Sequence, residues 1–449
     1  MAADKATTAN SRLSRQLGGT EQTWCKAVPG GTGITVSALL FSNPPEFSVI
    51  SDAVGKLQTA HPILSSQIRH DPATGFFSYV TPATPHLKIQ SFDSPSTAEI
   101  LRELANSSSS VSDFHLIVEH ELNRNDWQSP NPESHVDSDV FFAGVYALPG
   151  DKLAVALRLH TSACDSATAW TLCMELRALL GEEEGIIQRE LECETKIAPA
   201  MEDCIPEEKL RKPFWARGID MFGYSMNSLR MSNLNFEDTE SPRASNFGCK
   251  ARGIKLSGLL SAAAMMSAYS SKGLLDYQQE KYAVVTLINC RSILDPVLSS
   301  NRAGFYHSGI LNTHDIRGGE ELWELAGRAY TAFADAKNNN KHFTDLADLN
   351  FLMSKAIENP GLTPSSSLRT SLISIFEETP VDDHGPRGYG VEDYAVCSSA
   401  HGVGPNIAIF NTIRGGELDC ICLYPSPLYS RKRMLELIDG MKRILVEAK

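Results

Sequence analysis

The sequence predicts an α/β protein of two domains, and three observations carry that prediction. A chain of 449 residues, 42% of them hydrophobic, exceeds what one hydrophobic core usually serves, so two cores of about 200 residues each are expected. Leu153 to Leu159 reads as a half-buried strand that stops at His160. A short polar turn follows, and Ala167, Trp170, Leu172, Cys173, Leu176, Leu179 and Leu180 then recur at helical spacing until Gly181, a C-cap. Finally, from about Thr195 to Ser245 the composition shifts toward charge and proline, with Pro199, Pro206, Pro213 and Pro242. A connection of that length is uncommon inside one compact domain and marks the joint between halves.

Taken in order, residues 1–14 are polar and expected to be disordered. Ile34 to Phe41 reads as a strand, and Phe47 to Ala60 as a helix with Val49, Ile50, Val54 and Leu57 inward. Phe76 to Val80, Leu87 to Ile89 and Phe141 to Leu148 read as strands of the sheet that ends at His160. Asn106 to Ser110 and Asn125 to Ser138, rich in Ser, Asn and Pro, read as loops. Asp165 or Ser166 can cap the helix after the polar turn by accepting from its orphan amides. Residues 15–195 thus form a first domain, 196–245 a linker in which Pro213-Phe214-Trp215-Ala216 and Phe222-Gly223-Tyr224 pack on a domain surface, and 246–449 a second domain.

The second domain opens with a small-residue helix after Ser257, its expected cap, followed by a nearly continuous β-branched and apolar strand from Tyr282 to Arg291. Helices around Leu322 to Ala336 and Leu346 to Ile357 come next. A strand pair, Asn406 to Thr412 and Leu418 to Tyr424, turns at Arg414-Gly415-Gly416-Glu417. A helix from Ser430 to about Val446, with Met434, Leu437, Ile438, Met441 and Leu445 inward, ends the chain.

Composition excludes several function classes. A formal net charge of −13 disfavours nucleic acid or an anionic membrane as partner, since both reward clustered Lys and Arg. No run approaches the roughly 20 apolar residues of a spanning helix, and the N-terminus lacks the apolar core of a signal peptide, so a cytoplasmic protein is expected. Ten cysteines are scattered without metal spacing, and Cys420 and Cys422, two apart on a strand, read as core thiols. Cys164 lies inside the polar turn, and a small buried thiol is expected there over a nucleophile. His115, His120 and His135 share no ligand spacing, so no metal is expected. No P-loop or GxGxxG precedes a helix.

Several short stretches then point together in one direction. His160-Thr161-Ser162-Ala163-Cys164-Asp165-Ser166 resembles the His-x-x-x-Asp signature of the CoA-dependent acyltransferases, the chloramphenicol acetyltransferase-like superfamily that includes plant BAHD enzymes, fungal alcohol acetyltransferases and peptide-synthetase condensation domains. Arg15-Gln16-Leu17-Gly18-Gly19-Thr20-Glu21 is similar to the opening of alcohol acetyltransferase-like proteins, and His61-Pro62-Ile63-Leu64 to the passage after the family's first helix. Gly253 to Ala264 is similar to a small-residue passage of the family, and Asn289-Cys290-Arg291 to its Asn/Asp-x-Arg. The resemblance covers nearly the whole chain in the family's order. It implies two chloramphenicol acetyltransferase-like domains, each a mixed sheet with helices, joined by a long crossover linker and meeting along a tunnel.

The resemblance also implies site chemistry. Asp165 pairs with Arg291, which fixes the turn and does not act on substrate. In the longer condensation-domain form, His-His-x-x-x-Asp-Gly, the second histidine is the base; here Thr161 fills that slot and His160 precedes it. Threonine does not titrate near neutrality and cannot serve as a base. Neighbouring strand side chains face opposite ways, so His160 enters the tunnel only through a bulge or slipped turn, and otherwise braces the core or loop. Competing tunnel groups are His401 on a Gly-rich loop, His307, and Ser398 or Ser399 as oxyanion donors.

The implied activity is acyl transfer from CoA to the hydroxyl or amine of a small specialised metabolite. His160 or another tunnel histidine would be the base, and Thr161 a hydrogen-bond donor. Acyl-CoA would be a co-substrate, no cofactor would be bound, and the protein would be a monomer. The alternatives are a cyclisation, condensation or isomerisation in the tunnel, and a non-catalytic binding protein.

Overall fold

The computed structural model describes residues 14–447 apart from 83–86, 105–110, 129–136, 182–195, most of 212–254, 276, 364–365, 383–388 and 427. The disorder expected before Ser14, the Asn106 to Ser110 loop, most of the linker with Pro213 to Ala216 and Phe222, and Cys193 and Cys249 lie outside the described residues.

The first half runs β1 (Ser14–Gln16), α1 (Gly19–Ala27), β2 (Thr32–Phe41), α2 (Phe47–Ala60), β3 (Gln67–His70), β4 (Phe77–Val80), β5 (Ile89–Phe92), α3 (Ser94–Leu104), α4 (Asp113–Asn123), β6 (Ser138–Asp139), β7 (Phe141–Leu148), β8 (Lys152–His160) and α5 (Ser166–Leu179). The second half runs α6 (Leu256–Ser270), β9 (Glu280–Asn289), β10 (His307–Ile316), α7 (Leu322–Asn338), α8 (Leu346–Glu358), β11 (Arg369–Phe376), β12 (Val381–Asp382), β13 (Val391–Ala400), β14 (Gly404–Arg414), β15 (Glu417–Leu423) and α9 (Arg431–Glu447).

Each half carries a mixed sheet. The first is ordered β13-β2-β8-β7-β5 and the second β10-β9-β11-β14-β12, with β15 on β14; a small sheet, β1-β4-β3-β6, flanks the first. β2 is buried along its whole length because α5 covers one face of its sheet and α4 the other. β9, β11 and β14 run parallel in the second sheet, and their inner residues Val284, Ile373, Ile375, Ile407 and Ile409 pack against α6.

One strand joins the halves. β13, from the second half of the chain, pairs antiparallel with β2 from Val391 opposite Phe41 to Ala400 opposite Thr32. The division at residues 195 and 246 drawn from composition does not register this crossing, because strand pairing between residues about 350 apart leaves no local signal. α6 approaches α9 so closely that a Cβ on Gly440 would lie 2.2 Å from Ser267 Oγ, which instead donates to Leu437 O at 2.8 Å. Ser257 does not cap α6: Lys255 occupies that position without a side-chain capping bond, its Nζ donating to Glu377 instead, and Ser257 is buried one step into the helix. At the β14–β15 hairpin Gly415 and Gly416 both take positive φ, 53° and 84°, as a tight turn matching strand twist requires.

Candidate functional site

The site is built from the ends of β8, β9 and β10. Asp165 caps α5, its side chain accepting from Thr168 N at 2.8 Å. The same carboxylate takes Arg291 on both oxygens, at 2.8 and 3.1 Å, and the Tyr306 amide at 2.8 Å. Arg291, which follows β9, also donates to Arg302 O and to Asn289 Oδ1. Both members of the pair are at most 3% exposed. A bidentate, fully hydrogen-bonded arrangement is what a buried ion pair needs to offset desolvation. Although burial alone would raise it, the carboxyl is held well below the usual carboxylate range, chiefly by the Arg291 charge. The structure therefore has the pairing that links the two halves.

A cavity of about 570 Å³ lies between α5 and the ends of β9, β11 and β14, so both halves form its walls. His307, the first residue of β10, lines it. Its Nδ1 lies 3.0 Å from Asp165 Oδ2, which leaves Nε2 as the ring nitrogen turned to the cavity. Phe376 meets the imidazole edge-on at 5.6 Å and fixes its plane. In the sequence His307 is only one of several competing tunnel groups, because nothing local shows that β10 starts beside the Asp165 turn.

His160 is elsewhere. It is buried at the end of β8, with Nδ1 accepting from Ser162 N at 3.1 Å and 2.8 Å from Ser162 Oγ, and Trp127 edge-on at 5.2 Å. Burial pushes its pKa down to about 3. No bulge turns it into the cavity, so the expectation of His160 as tunnel base is corrected to that of a loop brace. Thr161 Oγ1 donates to Gly33 O at 2.5 Å and sits 2.8 Å from Thr35 Oγ1, which is in turn 2.7 Å from Ser398 Oγ. With the Thr161 proton on Gly33 O, Thr35 must donate to Thr161 and Ser398 to Thr35. Gly33 makes room for this, since a Cβ there would meet Trp24 at 2.9 Å.

The other sequence-derived candidates hold the sheet edge together. Ser399 Oγ donates to Gly31 O and accepts from Ile34 N, so its proton, like that of Ser398, is committed and neither is free to donate to an oxyanion. His401 packs beside Gly31, on a turn that Arg369 fixes through Ala400 O and Gly402 O. Neither His401 nor Thr161 lines the cavity. Cys164 is fully buried with its thiol pKa raised well above normal by desolvation, so it is not a nucleophile. Of the two cysteines on β15, Cys422 is half-buried and packs against the second half's core, whereas Cys420 is exposed and is not a core thiol. Among the described residues no cluster of three metal-ligating side chains occurs, and no helix is long and apolar enough to cross a membrane.

Buried neutral histidines make the fold acid-sensitive. Burial depresses His160 to about 3 and His314 and His342 to about 4. From pH 6.5 downward the unfolded chain binds protons that the fold refuses, so stability falls by up to about 1.4 kcal/mol per pH unit per histidine until the folded values are reached. His342 has no hydrogen-bond partner on either ring nitrogen among the described residues. His342→Phe is expected to flatten the fall in Tm between pH 6.5 and 4; an unchanged slope would show that His342 is charged or solvated in the fold.

No protein-family model and no curated protein matches the chain by sequence. Solved structures do match over nearly its full length. The trichothecene 15-O-acetyltransferase of Fusarium sporotrichioides has a TM-score of 0.66 at 12% identity, covering 98% of this chain and 97% of that one. The first condensation domain of the calcium-dependent antibiotic synthetase, in complex with a substrate analogue, has a TM-score of 0.62 at 14% identity, covering 97% of each. The epimerization domain from the third module of tyrocidine synthetase B follows at 0.59 and 12%, covering 99% and 98%. The likeness over nearly the whole length shows that the chain has the two-domain condensation/acyltransferase fold, built here from two mixed sheets, a strand crossing between them and a cavity at their junction.

Proposed function

We propose that the protein is an acyltransferase that moves an acyl group from a CoA thioester to the hydroxyl or amine of a small metabolite in the interdomain cavity, with His307 as the base. One observation carries this reading: His307 lines the cavity with Nδ1 3.0 Å from a buried, ionised Asp165. In that arrangement the carboxylate holds the Nδ1–H tautomer, and Nε2 takes the proton of the acceptor as its oxygen or nitrogen attacks the thioester carbonyl. Collapse of the tetrahedral intermediate breaks the C–S bond, and the imidazolium returns the proton to the departing thiolate. Asp165, itself held by Arg291, serves to orient the ring.

The test is free-thiol release from acetyl-, malonyl- and benzoyl-CoA in the presence of alcohol and amine panels. Release with at least one pair is expected, and none with any pair would contradict the reading. Thr161 at the family's histidine position favours a second reading, in which the cavity serves a cyclisation or isomerisation. A changed metabolite without free CoA would select it.

A further inference from the structure

The cavity's lining has a charge character that the fold does not dictate. Its charged lining residues are Glu175 and Glu378, and among the described residues no Lys or Arg lines it. Glu175 is engaged by His61 Nε2 at 2.7 Å, whereas Glu378 is exposed and makes no ion pair among the described residues. Asn411 lines the cavity and is tied to Thr379, its amide nitrogen bonding Oγ1 at 2.5 Å, so it forms wall and offers no free charge. Aromatic rings complete the wall: Phe376 and Phe410 meet at 5.3 Å, and Trp170 stands on the α5 side, held edge-on by Tyr394 at 5.5 Å.

We propose that this cavity takes a ligand carrying a positively charged nitrogen, attracted by the Glu378 carboxylate and flanked by the aromatic rings of Trp170, Phe376 and Phe410. A carboxylate and aromatic rings both favour a cation and disfavour an anion. The chain's net charge of −13 acts in the same direction. The proposal rests on the preceding reading only in taking this cavity as the substrate site. It makes the acceptor an amine-bearing molecule and leaves the phosphates of an acyl-CoA donor outside the chamber.

Isothermal titration calorimetry of the full chain near neutral pH, with 2-phenylethylammonium, 2-phenylethanol and 3-phenylpropionate as probes of one shape and three charges, tests it without turnover. The ammonium is expected to bind about tenfold or more tighter than the carboxylate, with the alcohol between them. Glu378→Gln, at an exposed position that folding tolerates, should weaken the ammonium by about two- to fivefold and leave the alcohol unchanged. Carboxylate binding as tight as ammonium binding, an unaltered ammonium affinity in Glu378→Gln, or no binding of any probe would overturn the proposal. Charge-selective binding without any acyl transfer would sink only the acyltransferase reading; acyl transfer with anionic acceptors preferred would sink only this one.

Discussion

His307→Ala is expected to lower kcat/KM for acyl transfer by about 10²- to 10⁴-fold, the range a positioned general base supplies, while Tm stays close to that of the unaltered protein. The stability expectation follows from what remains: without the imidazole, Asp165 still takes both Arg291 nitrogens and the Tyr306 amide. His160→Ala is expected to do the reverse. It removes a ring wedged between Trp127 and the Ser162 amide, so Tm falls, and the folded fraction keeps its turnover. The two variants together separate a catalytic histidine from a bracing one. Activity surviving in His307→Ala would remove that residue from the chemistry.

Asp165→Ala is expected to be among the most destabilising single changes in the chain. It leaves the Arg291 guanidinium, 2% exposed, without a counter-charge, and breaking a buried pair this way typically costs about 3–5 kcal/mol. Loss of the α5 cap adds about 1 kcal/mol. Asp165→Asn keeps one acceptor oxygen, enough for Thr168 N or Tyr306 N but not both, and should fall between. Because the folded carboxyl is held below the unfolded value, its contribution is present above about pH 4 and is lost on further acidification. Thermal melts of the three proteins near neutral pH check the order; an unaltered melt for Asp165→Ala would mean the ion pair contributes nothing.

The parts of the fold legible in the sequence are those with strong local patterning. β8, its turn and α5 read correctly from Leu153 to Leu180, and β9, α7, α8, the β14–β15 hairpin and α9 fall close to their expected bounds. The Asp165–Arg291 pair came from the resemblance, since no spacing rule connects residues 126 apart. What stayed hidden depends on long-range pairing. β13 joins the first sheet only because β2 offers it an edge. α3 and α4 carry short apolar runs, such as Leu116-Ile117-Val118, that suit a strand as well as a helix.

The site divides the same way. His160 stood out because it sits in a recognisable turn, yet the strand alternation that argued against its reaching the cavity is the physics that prevails. His307 lies 142 positions from Asp165 in sequence and is brought beside it by the antiparallel pairing of β10 with β9, where His307 stands opposite Asn289. Only the folded chain shows that juxtaposition.

Diethyl pyrocarbonate, which acylates accessible unprotonated imidazole, tests the role of His307 most directly when peptide mass spectrometry follows each histidine alongside the loss of acyl transfer. Loss of activity that rises in step with modification of His307, while His160 stays unmodified, is the predicted result. Inactivation that instead follows His160 or His401, with His307 untouched, would contradict it.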